Sequence, residues 1–527
     1  MPVTKIAAPL KSDENCDVLI VGGGIAGLTT AREIKRHEPN LKILVIEAKN
    51  RVGGRTNTIE LKTAGNTTDK FDLGGQWVGI TQTYILNTLK ELNLETYEQY
   101  TDGKKWLQMG HDKPWTYEGS LPTATDFYNQ YSAFEMADIM RAYPIIKKLV
   151  DSVDLQNPMN TPNAKQLDAL TVEEWARQNG QTRFFQDLCE GSTMVAYGVR
   201  AMSMSMLYYL YYAKAAGSVD NLLETTDTGA QRFRVKGGTL QISQKLAHAV
   251  GNENVRLNRA LLQLHMNESA GTVTAVIQDL TNLKNISVIT AKRVVMAIPP
   301  SECGKIRFTP ALPFEKKMLF DGAPQGNLMK FIATYETTFW RSKGFSGEIM
   351  ACGGGGKGDG ELTPLVDVYD GTNHLGKPAI VGFVNNNVFG PHESFEDRKQ
   401  RILKDLARYF GDEVLHPIDY IDKDWHEEPF SPGCPVSVIP AGNMGAFAHI
   451  REPFSLIHFA GTESATHWTG YMSGAVQSGL RAAHEILHNF KSKHVNFEHL
   501  KDSIYDPKYQ RPKDWDFTYP SKHTSKL

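Results

Sequence analysis

Cysteine is scarce in this sequence, which has only 5 among 527 residues: Cys16, Cys189, Cys303, Cys352 and Cys434. They are widely scattered, with no CxxC pair and no group of cysteine and histidine at metal-ligand spacing. A disulfide framework is therefore not indicated, and no metal site is expected. The polar N-terminus also lacks the apolar core of a secretory signal, so a reducing compartment is expected.

An excess of one charge is missing as well, because 57 lysines and arginines nearly balance 59 aspartates and glutamates. A nucleic-acid surface would be strongly basic, so no nucleic-acid partner is expected. Long apolar runs are also absent: the most apolar helical stretch, residues 204–217, is too short and too rich in tyrosine for a membrane span. A chain of this length is expected to form two or more domains. Because no nucleic-acid surface is indicated, the expected partner is a small molecule.

The N-terminal region carries the pattern of a dinucleotide site. An apolar run at residues 18–21 leads into Gly22, Gly24 and Gly27, which have the spacing G-x-G-x-x-G and precede a helical pattern. These glycines permit a tight turn, an approach to a pyrophosphate and close packing of helix on strand. A second apolar strand ends in Glu47, where a carboxylate can accept hydrogen bonds from a ribose. FAD and NAD both fit this pattern.

Three further segments decide between the two cofactors by resemblance. They are "EAKNRVGGRTNT" from residue 47, "FDLGGQWVG" from residue 71 and "IHFAGTESATHWTGYMSGAVQSGLRAAHEIL" from residue 457. In these segments the chain resembles the flavin-dependent amine oxidases of monoamine-oxidase type, and the resemblance extends over about residues 15 to 490. It implies FAD as the cofactor. It also implies an α/β (α+β) flavoprotein of two domains, in which a Rossmann-like FAD-binding domain carries an inserted substrate domain of mixed sheet and helices.

The order of the motifs predicts a discontinuous domain organisation, since the cofactor motifs lie at the start, middle and end of the chain. The predicted ranges are 1–80, 236–301 and 428–490 for the FAD-binding domain, 81–235 and 302–427 for the substrate domain, and 491–527 for a C-terminal tail.

The resemblance also assigns cofactor-binding residues. They are Gly22, Gly24, Ala26, Gly27, Glu47, Gly54, Arg55, Gly75, Gln76, Trp77, Trp425, Cys434, Gly461, Thr462, Glu463 and Met472. Trp468 is expected to pack near the isoalloxazine ring. The run of tyrosines at positions 208, 209, 211 and 212 is given no role beyond core packing.

Catalytic and substrate-binding roles follow from the same resemblance. Lys330 matches the lysine that holds a water near the reactive flavin nitrogen and assists the reaction with oxygen; a solvated lysine at a sheet edge is the alternative. Tyr471 matches one aromatic wall of the substrate cage, with a core tyrosine as the alternative. Gln231 matches a glutamine of the substrate cavity, although the turn before it has one extra residue.

Cys434 and Pro435 mark a departure from the family pattern. Cys434 occupies the position of a thioether to the flavin 8α-methyl, and Gly433 is expected to leave room for the ring. Pro435 stands where the family usually has a tyrosine, so the second aromatic wall is in doubt. Because proline fixes the local backbone, the sulfur could also lie out of reach, and an unlinked buried thiol stays open.

The function implied by the resemblance is FAD-dependent oxidative deamination of primary amines, aryl-alkyl or other monoamines, to aldehyde, ammonia and hydrogen peroxide. A polyamine oxidase has the same fold, and an acidic tunnel would favour it. A non-catalytic escort protein of prenylated GTPases also shares the fold without using a flavin. Glu47, Gly54, Arg55 and the segment 461–463 argue against that alternative, because a bound flavin nucleotide explains them.

The C-terminal tripeptide indicates a location. Ser525, Lys526 and Leu527 form the signal that the peroxisomal import receptor reads at the end of a chain. A chance ending on a lysine-rich tail is the alternative. We therefore predict a peroxisomal enzyme with the import receptor as a partner. A homodimer is considered as well, since nothing in the sequence decides the oligomeric state.

Overall fold

The computed structural model describes residues 12–110, 113–351, 363–390, 392–501 and 503–506. The tripeptide Ser525, Lys526 and Leu527 lies outside these ranges. Among the described residues, no helix is both long enough and apolar enough to cross a bilayer.

The described residues form strands and helices in alternating groups. The strands are β1 (Glu14–Val21), β2 (Ile43–Ile46), β3 (Thr58–Thr63), β4 (Thr67–Asp72), β5 (Trp77–Val78), β6 (Thr96–Glu98), β7 (Lys104–Leu107), β8 (Trp115–Tyr117), β9 (Phe233–Val235), β10 (Val255–Arg256), β11 (Arg259–Asn267), β12 (Thr272–Asp279), β13 (Ile286–Met296), β14 (Arg307–Thr309), β15 (Leu328–Thr334), β16 (Phe345–Met350), β17 (Leu365–Asp370), β18 (Ala379–Asn385), β19 (Asp419–Asp424) and β20 (Ile457–Phe459). The α-helices are α1 (Ile25–His37), α2 (Thr83–Glu91), α3 (Ala124–Tyr128), α4 (Ala133–Ser152), α5 (Ala164–Asp168), α6 (Val172–Asn179), α7 (Arg183–Tyr197), α8 (Met206–Ala216), α9 (Val219–Leu223), α10 (Leu240–Val250), α11 (Pro300–Gly304), α12 (Phe314–Gly322), α13 (Phe339–Ser342), α14 (Phe395–Phe410), α15 (Met444–Phe447) and α16 (Met472–Asn489).

The first sheet has the order β10-β2-β1-β13-β12-β11-β14, with β20 beside β13. Strand β1 pairs in parallel with both β2 and β13. Its residues 18–21 are buried, as expected for a parallel strand that is covered on both faces. Helix α1 packs against α10 and α16. This arrangement is the Rossmann-like unit that the glycine pattern predicts.

The second sheet has the order β19-β15-β18-β17-β16-β7-β8. It is mixed, because β16 and β7 are parallel while β15 is antiparallel to both of its neighbours. Strand β15 lies inside the sheet, and every one of its residues is buried. One hydrophobic cluster joins this sheet to α14, and another joins it to the hairpin β3–β4. The mixed two-sheet α/β architecture agrees with the fold class expected from the sequence.

The sheets can be compared with the predicted domain ranges. Strand β14 pairs with β11 in the first sheet, although its residues lie beyond the boundary placed at residue 301. Strands β7 and β8 come from the segment 81–235, and they extend the second sheet. The residue ranges of the two domains stay a prediction, and β14 shows where one boundary departs from the sheets.

Candidate active site

A cavity of about 480 Å³ contains most of the residues expected in the site. Its walls come from the ends of β1 and β2, from β15, β17 and β18, and from the start of α16. The sequence-predicted residues that line it are Gly22, Gly24, Ala26, Glu47, Gly54, Arg55, Gly75, Gln76, Trp77, Gln231, Lys330, Trp425, Cys434, Pro435, Gly461, Thr462, Tyr471 and Met472. Gly27, Glu463 and Trp468 lie behind this wall rather than in it.

The turn between β1 and α1 is built for close approach. A Cβ at Gly27 would lie 2.1 Å from the carbonyl oxygen of Gly22, so this glycine serves helix packing. A Cβ at Gly24 would meet nothing within 4 Å, and Gly24 caps α1 without a side-chain hydrogen bond. The N–H groups at the start of α1 therefore face open space, which suits a phosphate.

Glu47 lies at the end of β2 and lines the same cavity. Its two carboxylate oxygens each accept one backbone hydrogen bond, from Gly23 N–H at 2.7 Å and from Lys49 N–H at 2.8 Å. Burial raises the pKa of this carboxyl, although both hydrogen bonds oppose that effect. Since each oxygen keeps lone pairs, the group is held in place and can still accept hydrogen bonds from ribose hydroxyls.

Arg55 and Glu463 form a bidentate pair with distances of 2.6 and 3.0 Å. Burial tends to raise the pKa of Glu463, but the Arg55 guanidinium holds it below the ordinary value. Arg55 also donates to the carbonyl oxygen of Pro435 at 3.4 Å. Glu463 is thus a positioning residue, because it orients an arginine that lines the cavity and bridges to the segment of Cys434.

Lys330 is almost completely buried, with 1% of its surface exposed. Its Nζ donates to the carbonyl oxygen of Gly74 and to Gln76 Oε1, both at 2.7 Å. Burial lowers the pKa of Lys330 to about 7, although the negative charge of Asp72 acts to raise it. The alternative of a solvated edge lysine is therefore wrong, because β15 is an interior strand and the ammonium group lines the cavity.

Tyr471 is the residue that precedes α16, and its ring lines the cavity. The ring packs edge-on against Trp468, with centroids 4.9 Å apart, and tilted against Tyr212 at 6.1 Å. Burial raises the pKa of the Tyr471 hydroxyl, so the phenol stays neutral. Trp468 supports Tyr471 from behind and does not itself reach the cavity.

The backbone around Cys434 is fixed by its neighbours. The Cys434 N–H donates to Gly326 O at 2.9 Å, and the Gly433 N–H donates to Trp425 O at 2.6 Å. A Cβ at Gly433, whose φ is +88°, would lie 2.1 Å from Gln325 Cβ. Gln325 therefore excludes a side chain at this position, and Gly433 itself lines the cavity, so the expectation that it leaves room for a ring stays a prediction. Burial raises the pKa of the Cys434 thiol to about 12.

Two more expected residues have defined partners. Gln231 Nε2 donates to Leu222 O at 3.2 Å, while its buried Oε1 has no hydrogen-bond partner in the described part of the chain. Trp425 Nε1 donates to Leu73 O at 3.1 Å, which ties the segment before Cys434 to the strand end that precedes Gly74.

The cavity residues that sequence reasoning missed include Tyr212, Phe383 and Asp367. Tyr212 was assigned to the core with its neighbours, and it does belong to the core cluster, but its ring also meets Tyr471. Phe383 lies on β18 opposite Lys330, and Asp367 lies on β17 opposite Phe383. Strand pairing brings them to the site, and no local sequence motif indicates it.

One group of metal-ligand type occurs among the described residues, away from the cavity. Ligand atoms of Glu33, His37 and His484 lie within 4.8 Å of one another. The Nδ1 of His484 accepts a hydrogen bond from Asn496 N–H, so the proton of the neutral ring is on Nε2, which faces Glu33. His37 Nε2 hydrogen-bonds with Glu33 Oε1 at 3.1 Å, whereas His484 Nε2 lies 3.6 Å from that oxygen and has no hydrogen-bond partner among the described residues.

The cavity fits FAD on its own geometry. Gly24 and Gly75 border open space that a side chain would fill, and the buried Nε2 of Gln76 has no partner among the described residues. Glu47 supplies an oriented acceptor at the nucleotide end. Gln76 thus offers an unpaired donor beside Lys330, and Glu47 offers an acceptor beside the glycine turn. These two groups match the two ends of a flavin dinucleotide.

Comparison with known proteins decides the assignment. The model of the family described as flavin containing amine oxidoreductase matches residues 25–487. The chain belongs to this family. It is 35% identical over 474 residues to AofH of Mycobacterium tuberculosis, a protein named as a flavin-containing monoamine oxidase, covering 89% of this chain and 96% of that one. It is 33% identical over 486 residues to amine oxidase B of Bos taurus, covering 90% and 86%.

A solved structure gives the same result. The structure of wild-type putrescine oxidase bound to putrescine matches with a TM-score of 0.78 and 28% identity, covering 90% of this chain and 99% of that one. The protein is an FAD-dependent amine oxidase with the two-domain flavoprotein fold. This outcome confirms the enzyme interpretation and the choice of FAD over NAD, and the alternative of a non-catalytic escort protein is dropped.

Proposed function

We propose that this amine oxidase converts primary amines, with water and oxygen, to aldehyde, ammonia and hydrogen peroxide. The observation that carries the proposal is the buried Lys330, whose Nζ lies in the cavity that Tyr471 also lines. When bound, FAD would supply the acceptor for a hydride equivalent from the carbon beside the amine nitrogen and, once reduced, two electrons for oxygen. The chain's own residues orient the amine, keep it neutral and provide a cation where oxygen is reduced.

The cavity walls suit a neutral amine. Removal from water disfavours the charged form of an amine, and the nearby Lys330 disfavours a second cation beside it. The rings of Tyr471 and Tyr212 supply an apolar wall that orients the alkyl or aryl part of the substrate. Pro435 continues this wall with a smaller side chain, so the cage is aromatic on one side.

The experiment is a peroxide-coupled assay of the purified enzyme against a panel of aryl-alkyl amines, alkyl monoamines and polyamines. Peroxide formation that requires an amine, together with a stoichiometric yield of aldehyde, supports the proposal. Absence of peroxide with every amine, in a preparation that is yellow and folded, contradicts it.

Replacement of Tyr471 by alanine is expected to lower kcat/KM for the best monoamine roughly 10- to 100-fold, equivalent to about 1.4 to 2.8 kcal/mol. The loss follows because the ring is one wall of the cage, while Tyr212 remains beside it. Steady-state kinetics on the flavin-loaded variant measures the effect. Tyr471→Phe, which keeps the ring, is the control and should retain most of the activity. An unchanged kcat/KM in Tyr471→Ala would remove Tyr471 from the site.

We further propose that FAD is linked covalently through Cys434. The thiol lines the cavity together with Lys330 and Tyr471, and the hydrogen bonds around it fix its backbone there. Pro435 does not draw the segment away, since its carbonyl oxygen accepts a hydrogen bond from Arg55.

The peroxisome is the proposed location, supported by the Ser525, Lys526 and Leu527 signal and by the release of peroxide. Removal of Leu527 is expected to leave specific activity unchanged and to abolish import. Fluorescence microscopy of tagged full-length and truncated protein, with the tag at the N-terminus, measures this. The activity of the truncated enzyme is the control, and its continued import into peroxisomes would contradict the proposal. A homodimer stays a prediction.

Oxidation of diamines or polyamines is the second candidate, and one observation favours it. An acidic cavity would favour a polyamine oxidase, and a buried carboxyl, Asp367, lines the cavity. One of the matching solved structures is that of a putrescine oxidase with putrescine bound.

A further inference from the structure

Asp367 is a carboxyl group that lines the cavity two strands away from Lys330. Of the other lining carboxyls, Glu47 accepts two backbone hydrogen bonds and Glu302 pairs with Lys305 at 2.6 Å. The Oδ1 of Asp367 is buried and has no hydrogen-bond partner in the ranges that the structure describes. An unpaired buried acceptor is costly, so this oxygen is a strong candidate for a partner that the chain does not itself supply.

A bulge directs the Asp367 side chain. In the pairing of β17 with β18, Leu365 lies opposite Val384 and Asp367 lies opposite Phe383, so the register shifts between Leu365 and Asp367. Bulges of this kind turn side chains and are frequent beside active sites. Here the bulge places Asp367 on the cavity wall in a strand whose residues are all buried.

Lys330, Phe383 and Asp367 form one row across three strands. Lys330 is opposite Phe383 in β15 and β18, and Phe383 is opposite Asp367 in β18 and β17. Directly opposed residues of antiparallel strands share a face, and neighbouring strands lie about 4.8 Å apart, so the two ends of the row are separated by about 10 Å. The cavity thus has a cation at one position and a carboxyl two strands away.

An aromatic strip, formed by Trp77 and Phe383 on the cavity wall with Tyr369 packed behind Trp77, extends between these two groups. Nζ of Lys330 lies 5.3 Å from the centre of the Trp77 ring and 5.4 Å from that of Phe383. Trp77 packs against Tyr369 at 4.8 Å, and Tyr369 is two residues beyond Asp367 on the same strand. Aromatic faces accept an alkyl chain and also attract a cation, so the strip suits a chain that ends in an ammonium group.

A buried carboxyl on the neighbouring strand is neutralised by an ion pair, whereas, in the part of the chain that the structure describes, Asp367 is not. Glu348, on the adjacent strand β16, pairs with the buried Lys105 at 2.9 Å. Asp367 has no such ion pair among the described residues, since the Nζ of Lys330 donates to Gly74 and Gln76 instead. Burial raises the pKa of Asp367 to about 7, while a hydrogen bond with Tyr369 and the charge of Lys330 lower it. A bound cation would stabilise the carboxylate further.

We propose that Asp367 binds the distal ammonium group of an α,ω-diamine whose other amine is oxidised beside Lys330 and Tyr471. This assignment rests on the proposed amine oxidation and names the substrate class for the same cavity. The reacting amine is then neutral at the end near Lys330, and the second amine is charged at the end near Asp367. Asp367 is accordingly the residue that determines specificity between diamines and monoamines.

The test compares 1,4-diaminobutane with n-pentylamine, in which a methyl group replaces the distal ammonium. In the wild-type enzyme kcat/KM should be higher for the diamine. Asp367→Asn should lower kcat/KM for the diamine roughly 10- to 150-fold, the value of a hydrogen bond to a charged group, and should change that for pentylamine by less than about threefold. Asp367→Glu, which keeps the charge, should retain part of the diamine preference. If Asp367→Asn does not fold, Asp367→Ser replaces it as the neutral variant.

Anaerobic binding, followed by the change in flavin absorbance, gives a readout without turnover. The diamine should bind more weakly to Asp367→Asn by a similar factor, while pentylamine binding is unchanged. An equal loss for both amines, or a diamine preference that survives in Asp367→Asn, would overturn the assignment. If wild-type enzyme forms no peroxide with either amine, the proposed oxidation fails, and the binding ratio still tests Asp367 separately.

Discussion

Lys330→Met is expected to slow the reaction of the reduced enzyme with oxygen roughly 100- to 1,000-fold, the usual loss when a preorganised charge partner is removed from a buried site. The Nζ is buried and fixed by Gly74 O and Gln76 Oε1, which together accept two of the three hydrogen bonds that an ammonium group can donate. The positive charge is therefore held, without reorganisation, where electrons pass to oxygen. Methionine keeps much of the side-chain volume and removes the charge.

The effect should be confined to one half of the reaction. Anaerobic reduction of the enzyme by amine should change by less than about threefold, because that step needs a neutral amine and no cation at this position. Stopped-flow absorbance measures both steps separately. If both rate constants are unchanged, Lys330 has no role in the reaction with oxygen.

The same step should depend on pH with a definite sign. Burial lowers the pKa of Lys330 from 10.5 to about 7, so the group is protonated below that pH and neutral above it. The oxygen rate constant of the wild-type enzyme should therefore fall as the pH rises through about 7, and that of Lys330→Met should not show this titration.

Lys316 provides a matched control. It is also buried, its pKa is also lowered by burial to about 7, and its Nζ donates to His449 O at 2.8 Å. It does not line the cavity. Lys316→Met should therefore alter stability and leave the oxygen rate constant unchanged, which separates a catalytic cation from the general cost of removing a buried lysine.

The nucleotide-binding half of the site could be predicted from the sequence because its determinants are local. Gly22, Gly24 and Gly27 lie within six residues, and their spacing alone implies the strand, the turn and the helix. Glu47 ends the next strand, which the parallel pairing of β1 and β2 places beside that turn. These positions could therefore be predicted from short-range geometry alone.

The substrate half depends on long-range pairing, which the sequence pattern does not contain. Strand alternation indicates which residues share a face, but it does not show that both faces of β15 are covered, so the burial of Lys330 could not be derived. Asp367 reaches the cavity through a one-residue bulge and the register of β17 with β18. A shift of one residue would have directed it elsewhere, so no motif could indicate its role.

Tyr212 was misjudged for a related reason. Four neighbouring tyrosines on α8 look alike in the sequence, yet only the position of α16 brings Tyr471 against Tyr212. The decisive neighbour is distant along the chain, as is Gln325, which excludes a side chain at Gly433.

Cys434→Ala is expected to convert a covalent flavin into one that is released completely on acid denaturation. In the wild-type enzyme the yellow colour should remain with the protein, and peptide mapping should place the added mass on the peptide that contains Cys434. The variant should still bind FAD, since the glycine turn, Glu47 and Arg55 are unchanged. Absorbance of the supernatant and the pellet after denaturation measures the difference.

The chemistry of this link agrees with the surroundings of the thiol. In the net reaction, sulfur bonds to the 8α carbon, and the thiol proton and one methyl hydrogen are lost. Two electrons pass to oxygen, which forms hydrogen peroxide. Burial raises the pKa of Cys434 to about 12, and the nearby Lys330 and Arg55 oppose that rise. The thiol is therefore protonated at neutral pH before the cofactor enters, and attachment should be a slow step that follows FAD binding.

Cys303 is the matched control for the covalent link, because it is another buried thiol whose pKa is raised by burial and it does not line the cavity. Cys303→Ala should keep all of its flavin on denaturation, whereas Cys434→Ala should keep none. Slow release of a tightly held cofactor would be the same in both variants, so a difference between them identifies a specific thioether. If the wild-type protein loses all of its flavin in acid, Cys434 is only a neighbour of the cofactor, and the fixed backbone from Gly433 to Pro435 positions the cavity wall instead.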